Sequence, residues 1–300
     1  MNSLIAMIPS ILMIVSPILI TAVGGMICER SGVVNIALEG LMGVGAFAAA
    51  TIHYFLEPST PYSIWIALAL GAVAGVLTSL IHAFASITLN ADQTVSGTGI
   101  NLLVTGGTTF LAQIIFRMER TSPFRLGMMP GIWGIYPTAW IALAVVIIAW
   151  FVLYKRPFGM RLRSCGEHPQ AAASAGIDVR KTRYIAVMVS GALGGLAGGC
   201  LVLTQTIQYT VNTINGAGFI ALAAVSFGRW LPKGIAASSL LFGTATALSI
   251  YMVNIQSLRF LPPEFFSVMP YIITLVTLMV FSGKEYAPRA SGQPFERSGS

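Results

Sequence analysis

The sequence predicts an all-α protein, a polytopic transmembrane helical bundle with about nine membrane segments, and three observations predict it. Of the 300 residues, 55% are hydrophobic and 9% are charged, against roughly 25% charged in an average soluble domain. That is too little charge to cover a water-facing surface, so lipid is the expected solvent. Apolar runs recur at about the 20 residues a helix needs to cross hydrocarbon, where the backbone must satisfy its own hydrogen bonds. Finally, of 17 Lys and Arg, seven (Lys155, Arg156, Arg161, Arg163, Arg180, Lys181 and Arg183) crowd into one connection between apolar runs. Such crowding marks a cytoplasmic loop.

Taken in order, the spans fall near 4–27, 33–53, 62–88, 94–116, 137–154, 184–204, 216–230, 232–253 and 267–283. The first has neither a basic leader nor a small-residue cleavage site and is expected to stay as a membrane span. The second is rich in Gly, Asn and Glu and the seventh is short, which makes both candidates for broken or re-entrant helices. One transmembrane domain over 1–283 and a cytoplasmic tail over 284–300 follow. The basic loop, 156–183, and the tail with Lys284, Arg289 and Arg297 share a side, as the four crossings between them require. Counting back puts the N-terminus and the 53–61 turn outside, with Glu29, Arg30 and Asp92 inside. The 117–136 connection also falls outside, although it carries Arg117, Arg120 and Arg125, against the charge rule. Glycines recur at helical spacing, at Gly191, Gly195 and Gly199, at Gly194 and Gly198, and at Gly71 and Gly75, which lets helix backbones approach closely.

Several function classes are disfavoured. The net charge of +7 is concentrated in loops without interleaved aromatics, which points away from nucleic acid. Cys28, Cys165 and Cys200 are widely spaced, and His53, His82 and His168 lack ligand spacing, so neither a disulfide framework nor a metal site is expected. An intramembrane enzyme would need paired Asp, a Ser with a base, or an H-E-x-x-H pair inside spans, and none occurs. A transport subunit or a passive channel remains, and energy dependence separates the two.

The basic loop contains the punctuation of a short helix. Pro169 fits the first helical position, Gly176 fits the stop, and good helix formers lie between. About two turns of helix are marginal alone in water, because nucleation costs more than so few bonds return. The segment therefore needs a surface, either the membrane interface or a cytoplasmic partner that grips it. Inside the spans, Glu39 is the one carboxylate, with Asn35 one helical turn earlier on the same face. An ionisable group at membrane depth needs a partner or a water-lined face, so the pair either lines a pathway or acts as a structural cap. Gln93, Thr94, Asn101 and Gln205, with Gln208, are uncharged polar residues near span ends; they could bond a neutral ligand or join helices. The scarcity of charge in the spans favours a net-neutral solute.

These same residues carry a resemblance. The run Glu29-Arg30-Ser31-Gly32-Val33-Val34-Asn35-Ile36-Ala37-Leu38-Glu39-Gly40 resembles the first signature of permease subunits in ATP-binding cassette (ABC) importers of the branched-chain amino acid, ribose and nucleoside class. Ala91 to Gly97 with Asn101 to Leu103 is similar to a second polar block, Cys165 to Val179 to the coupling segment, and Phe219 to Trp230 to the C-terminal block. Leu231 and Lys233 around Pro232 depart from the neutral wording usual there. The wording of the first signature is most similar to the shorter permease of nucleoside importers. A simple sugar such as ribose and a branched-chain amino acid are the alternative substrates.

The resemblance implies that Gly166, Glu167, Pro169, Ala171, Ala172, Ala175 and Gly176 engage a cytoplasmic ABC ATPase; Asn35, Glu39, Gln93, Thr94, Asn101 and Gln205 are, from their polarity within the spans, the candidates to border the pathway. It implies a longer sister permease in a heterodimer, an extracytoplasmic substrate-binding protein, and a bacterial inner (cell) membrane location. No cofactor is expected on this chain. ATP and Mg would act through the partner, since no G-x-x-x-x-G-K-[ST] phosphate loop is present here.

Overall fold

The computed structural model describes residues 2–253 and 286–295, with the isolated helical positions Val268, Ile272, Val276 and Met279 between them. Ten α-helices are formed there: α1 (Asn2–Arg30), α2 (Leu38–Leu56), α3 (Ser63–Ala83), α4 (Gln93–Phe116), α5 (Pro137–Lys155), α6 (Pro157–Glu167), α7 (Pro169–Ser174), α8 (Val179–Leu201), α9 (Ala217–Phe227) and α10 (Pro232–Val253). Single π-helical turns, Phe84–Thr88 and Val202–Thr206, extend α3 and α8. Among the described residues no strand forms beyond an isolated bridge between Arg120 and Thr210.

Six of these helices are long and apolar enough to cross a membrane: Met7–Arg30, Ser63–Thr88, Gln93–Phe116, Pro137–Lys155, Val179–Thr206 and Pro232–Met252. The expected nine segments are thus not reached within the described residues. The second expected span starts as irregular chain, and α2 begins only at Leu38; it is outside the six because Glu39 and His53 lower its hydropathy. The seventh is the 11-residue α9, too short for a crossing. The ninth, 267–283, lies outside the described residues apart from the four isolated positions.

α8 is the central helix, packed against α1, α2 and α3. The glycine stripe explains how. A β-carbon on Gly195 would strike the Gly71 carbonyl and lie 3.1 Å from Gly75 Cα, and one on Gly45 would strike the Gly195 backbone. Backbone therefore meets backbone at this crossing, where dispersion contacts drive association in the absence of a hydrophobic effect. α4 and α5 lie at the periphery, 22% buried against 67% for α1 and α8.

Contacts fix which connections share an end. Arg30 ends α1 beside Glu167, and the tail joins them through Ala290 N–H to the Gly166 carbonyl and Gly292 N–H to the Gly32 carbonyl. The basic connection, the tail and the α1 terminus are therefore at one end. The 117–136 connection is at the other, where the His53 ring donates to the Leu126 carbonyl and the Glu57 carboxylate accepts from Leu126 N–H.

Two outcomes are expected. Gly195→Ala should destabilise the fold by about 1–3 kcal/mol or prevent it, because neither backbone can retreat. Gly106→Ala, with open space around the added carbon, should leave the unfolding temperature in detergent unchanged. Second, the three native cysteines are buried, and burial pushes the Cys165 thiol above its ordinary value, so little reactive thiolate exists at neutral pH. A cysteine placed at the exposed Ser174 should react in intact cells with a membrane-permeant maleimide and not with an impermeant one.

Candidate functional site

The chain between α1 and α2 must leave helical geometry inside the bundle, and the polar residues of the spans converge there. Gln93 Oε1 accepts from Val34 N–H at 2.7 Å, and Asn35 Oδ1 accepts from Ala37 N–H at 3.1 Å. Asn35 Nδ2 donates to Ser190 Oγ of α8 at 2.8 Å. His82 Nε2 lies 3.1 Å from the Val34 carbonyl, and Nδ1 lies 3.0 Å from Ser96 Oγ. A carbonyl can only accept, so Nε2 carries the proton and Nδ1 accepts from the serine. Asn101 serves both directions: Oδ1 accepts from Gly40 N–H at 2.8 Å and Nδ2 donates to the Ile36 carbonyl at 3.0 Å. A buried backbone group left unpaired costs as much as a lost hydrogen bond; here side chains from α3 and α4 replace the missing helical ladder.

Glu39 closes a second break. α9 starts at depth after Gly216, and the Glu39 carboxylate accepts from Gly216 N–H at 2.8 Å and Gly218 N–H at 2.7 Å. A carboxylate on the first amides of a helix is the preferred pairing of charge with dipole. The two helices are in contact there, since a β-carbon on Gly218 would lie 2.5 Å from Glu39 Cα. Four of the six proposed pathway residues, Asn35, Glu39, Gln93 and Asn101, are therefore brought together and bonded to backbone. Thr94 is exposed one position after Gln93. Gln205 is not part of the cluster: its side chain donates to the Met13 carbonyl at 3.0 Å.

At the end of the bundle that carries the basic connection, α7 has the expected punctuation, with Pro169 at its first position and Gly176 at φ +81° after it. The preceding helix α6 was not visible as a helix in the sequence. It is short, and four of its 11 residues are glycine or arginine. Gly166 is buried, and a β-carbon there would strike the Arg30 carbonyl. Glu167 pairs with Arg30 at 4.0 Å and is half-exposed, so the pair contributes little stability. Ala171, Ala175 and Gly176 are exposed, whereas Ala172 is buried with Cys165, Val179 and Phe295. Ala172 thus faces the protein and the free face of α7 is formed by its neighbours. A cleft of about 400 Å³ runs between Glu167–Ala171 and the tail residues Arg289–Phe295.

Two groups at this end escaped sequence reasoning. Arg183 is 1% exposed; its Nε donates to the Ser31 carbonyl and Nη1 to the Gln293 carbonyl, tying α8, the α1–α2 connection and the tail together. Glu29 is 5% exposed and accepts from Trp230 Nε1 at 2.5 Å, while Arg30 Nε donates to the Trp230 carbonyl at 3.0 Å. Their partners lie about 110 to 200 residues away, beyond the reach of local pattern. Among the described residues no cluster of His, Cys, Asp and Glu could hold a metal.

The four blocks of the sequence that carried the resemblance are thus in contact in space. Comparison with known proteins agrees. The family model described as "Branched-chain amino acid transport system / permease component" matches residues 7–278. The chain belongs to this permease family. It is 43% identical to the guanosine ABC transporter permease protein NupQ of Bacillus subtilis, over 96% of this chain and 95% of the relative. It is 37% identical to the nucleoside ABC transporter permease protein NupC of Lactococcus lactis, over 99% and 98%. A solved chain of a metal-chelate type ABC transporter in an inward-facing conformation superposes with a TM-score of 0.56 at 14% identity, covering 91% of this chain and 85% of that one; this likeness concerns the fold.

In this permease the carboxylate of Glu39 is engaged by backbone donors. Glu39→Gln keeps one acceptor oxygen and presents an amide donor to the other N–H, so it should lower unfolding stability by about 1–3 kcal/mol. Thermal unfolding in detergent checks it, with Glu39→Ala expected to cost more.

Proposed function

We propose that this permease is one membrane-spanning half of an ABC importer that moves a net-neutral nucleoside, driven by a separate cytoplasmic ATPase that grips α7. The observation that carries the reading is the exposed face of α7, whose opposite face seats Ala172 against Cys165, Val179 and Phe295. Glu167 reaches Arg30 of α1, and Ala172 packs on Val179 of α8, so a push on α7 is delivered to the two most buried spans. The relatives' names supply the substrate class. The ATPase supplies ATP and Mg; a second permease subunit, in a heterodimer, and an extracytoplasmic binding protein complete the assembly in the inner membrane. The 19-residue α2, the short α9 and the segment 267–283, which is apolar in sequence, would bring the count to nine.

The pathway is proposed to follow α4. Its buried seam comprises Gln93, Gly97, Ile100, Val104, Thr108 and Ala112. Beside that seam Thr94, Thr98, Asn101, Thr105, Thr109 and Gln113 recur at helical spacing, and Thr94, Thr98, Thr105 and Gln113 are exposed. Their neighbours Leu102, Leu103 and Phe110 are exposed as well. Hydroxyls and an amide beside an apolar strip suit a solute with a polar sugar and a flat ring better than a simple sugar. The stripe passes the α2 break at Asn101, and the second permease would face it. At the opposite end of the bundle from α7, the cleft lined by Met118–Arg120 and Thr210–Asn212, about 480 Å³, is where the binding protein would release its load.

The test uses the complete transporter in proteoliposomes. ATP-dependent uptake of labelled guanosine should be competed by unlabelled nucleosides and not by ribose or leucine in excess; competition by ribose or leucine alone would transfer the function to those solutes, and uptake without ATP would make the protein a channel. Ala171→Asp, on the free face of α7, should abolish ATPase copurification and reduce uptake by about 100-fold, as a charge buried without a partner at an interface does. Retained copurification would remove α7 as the docking element.

A further inference from the structure

The contacts on α9 form a continuous link between the docking end and the α2 break. At its N-terminus the first amides of α9 are held by Glu39, in the opening turn of α2. From there 11 residues, about 16 Å of helix, lead to a corner in which Arg229 and Trp230 both take left-handed backbone angles, φ 54° and 53°. Left-handed angles are uncommon for residues with a side chain, and two in succession need surrounding structure to hold them. What holds them is α1: Trp230 Nε1 donates to Glu29 Oε2, and Arg30 Nε donates to the Trp230 carbonyl. The same Arg30 faces Glu167 across 4.0 Å, and its carbonyl lies against Gly166. Glu167, the last residue of α6, therefore shares a partner with the corner that ends α9.

We infer that Trp230 is the joint through which displacement of α6 and α7 reaches the break in α2, with α9 as the strut between them. This rests on the reading of α7 as the docking element. A short helix clamped at both termini moves as a body, so a shift at Arg30 and Trp230 is delivered to Glu39 and, through Gly40 and Asn101, to the α4 face proposed as the pathway. Trp230 is a positioning residue: it touches neither nucleotide nor solute, and removing its clamp should separate ATP hydrolysis from transport rather than abolish either partner's binding.

The experiment compares Trp230→Phe, which removes the N–H, with Glu29→Ala, which removes the acceptor, and Glu29→Gln, which retains an acceptor oxygen. Each is assembled with the ATPase, the second permease and the binding protein in proteoliposomes, with guanosine as the probe. The readout is guanosine imported per ATP hydrolysed, alongside ATPase copurification and unfolding temperature. W230F and E29A are expected to lower that ratio about tenfold with the ATPase still bound, while E29Q stays within about twofold of the parent. A purely structural role would lower folded yield and leave the ratio of the surviving transporters unchanged, which would overturn the proposal. Should W230F fail to assemble, the contrast between E29A and E29Q decides, and equal ratios there refute the joint. If Ala171→Asp leaves the ATPase bound, the docking reading has failed, a result distinct from either outcome at Trp230.

Discussion

The structure depends on one constraint: backbone polar groups at membrane depth must find partners, and where the chain leaves the helix only other parts of the protein can supply them. Residues 31–37 and the start of α9 are two such departures. The partners are specific and mutually dependent, with Gln93 on Val34, Asn101 on Gly40 and Ile36, and Glu39 on Gly216 and Gly218. Because Asn101 both donates and accepts, and Glu39 accepts twice, no one of them can be exchanged for an apolar residue without stranding a group on another element. The polar content of the spans is therefore chiefly structural, and the side chains that the proposed pathway can use are the ones that bond no distant backbone. On α4 these are hydroxyls that donate only to the carbonyl one turn back, as Thr98 does to Thr94 and Thr105 to Asn101.

Close glycine packing has the complementary effect. α8 lies against α2 and α3 at backbone contact, so this part of the bundle has no soft side-chain layer in which to slide. α9 differs: it is short, its two termini are held by polar clamps, and it touches α1, α2 and α10. Motion in a close-packed interior is taken up by elements with discrete anchoring points rather than by continuous deformation. That division between a fixed α8 core and an anchored half-helix is what the proposed strut requires.

Much of this was legible in the sequence where the signal was local. Apolar length located α1, α3, α4, α5, α8 and α10, and Pro169 with Gly176 located α7 because those residue types fix backbone geometry by themselves. Counting spans from the basic loop put 117–136 opposite it despite three arginines, and His53 and Glu57 do meet that connection at the far end. What local pattern could not show was pairing. Glu39 reads the same whether it faces water or caps a helix 177 residues later, and Ala172 reads as a free surface until Phe295 is placed beneath it. The expected nine spans exceed the six clear crossings among the described residues because α9 has the composition of a span without its length, polar residues lower the hydropathy of α2, and 267–283 lies outside the described residues.

Charge accounting narrows the solute further. Glu29 has one oxygen turned to Trp230, Glu39 has both turned to the α9 amides, and Asp92 and Asp178 cap α4 and α8 by accepting from Val95 and Lys181. The buried Arg183 is turned to the carbonyls of Ser31 and Gln293. Between its ends, with Asp92 at the cap and Glu119 bonded to Gln113, the uncovered face of α4 presents hydroxyl, amide and hydrocarbon. A zwitterionic amino acid entering such a face would lose hydration at both charged groups with no counter-charge to replace it, a cost far above that of a neutral molecule. On the α4 face proposed as the pathway, a nucleoside would set its hydroxyls against the threonines and its ring against Leu102, Leu103 and Phe110, at a lower dehydration cost than the amino acid.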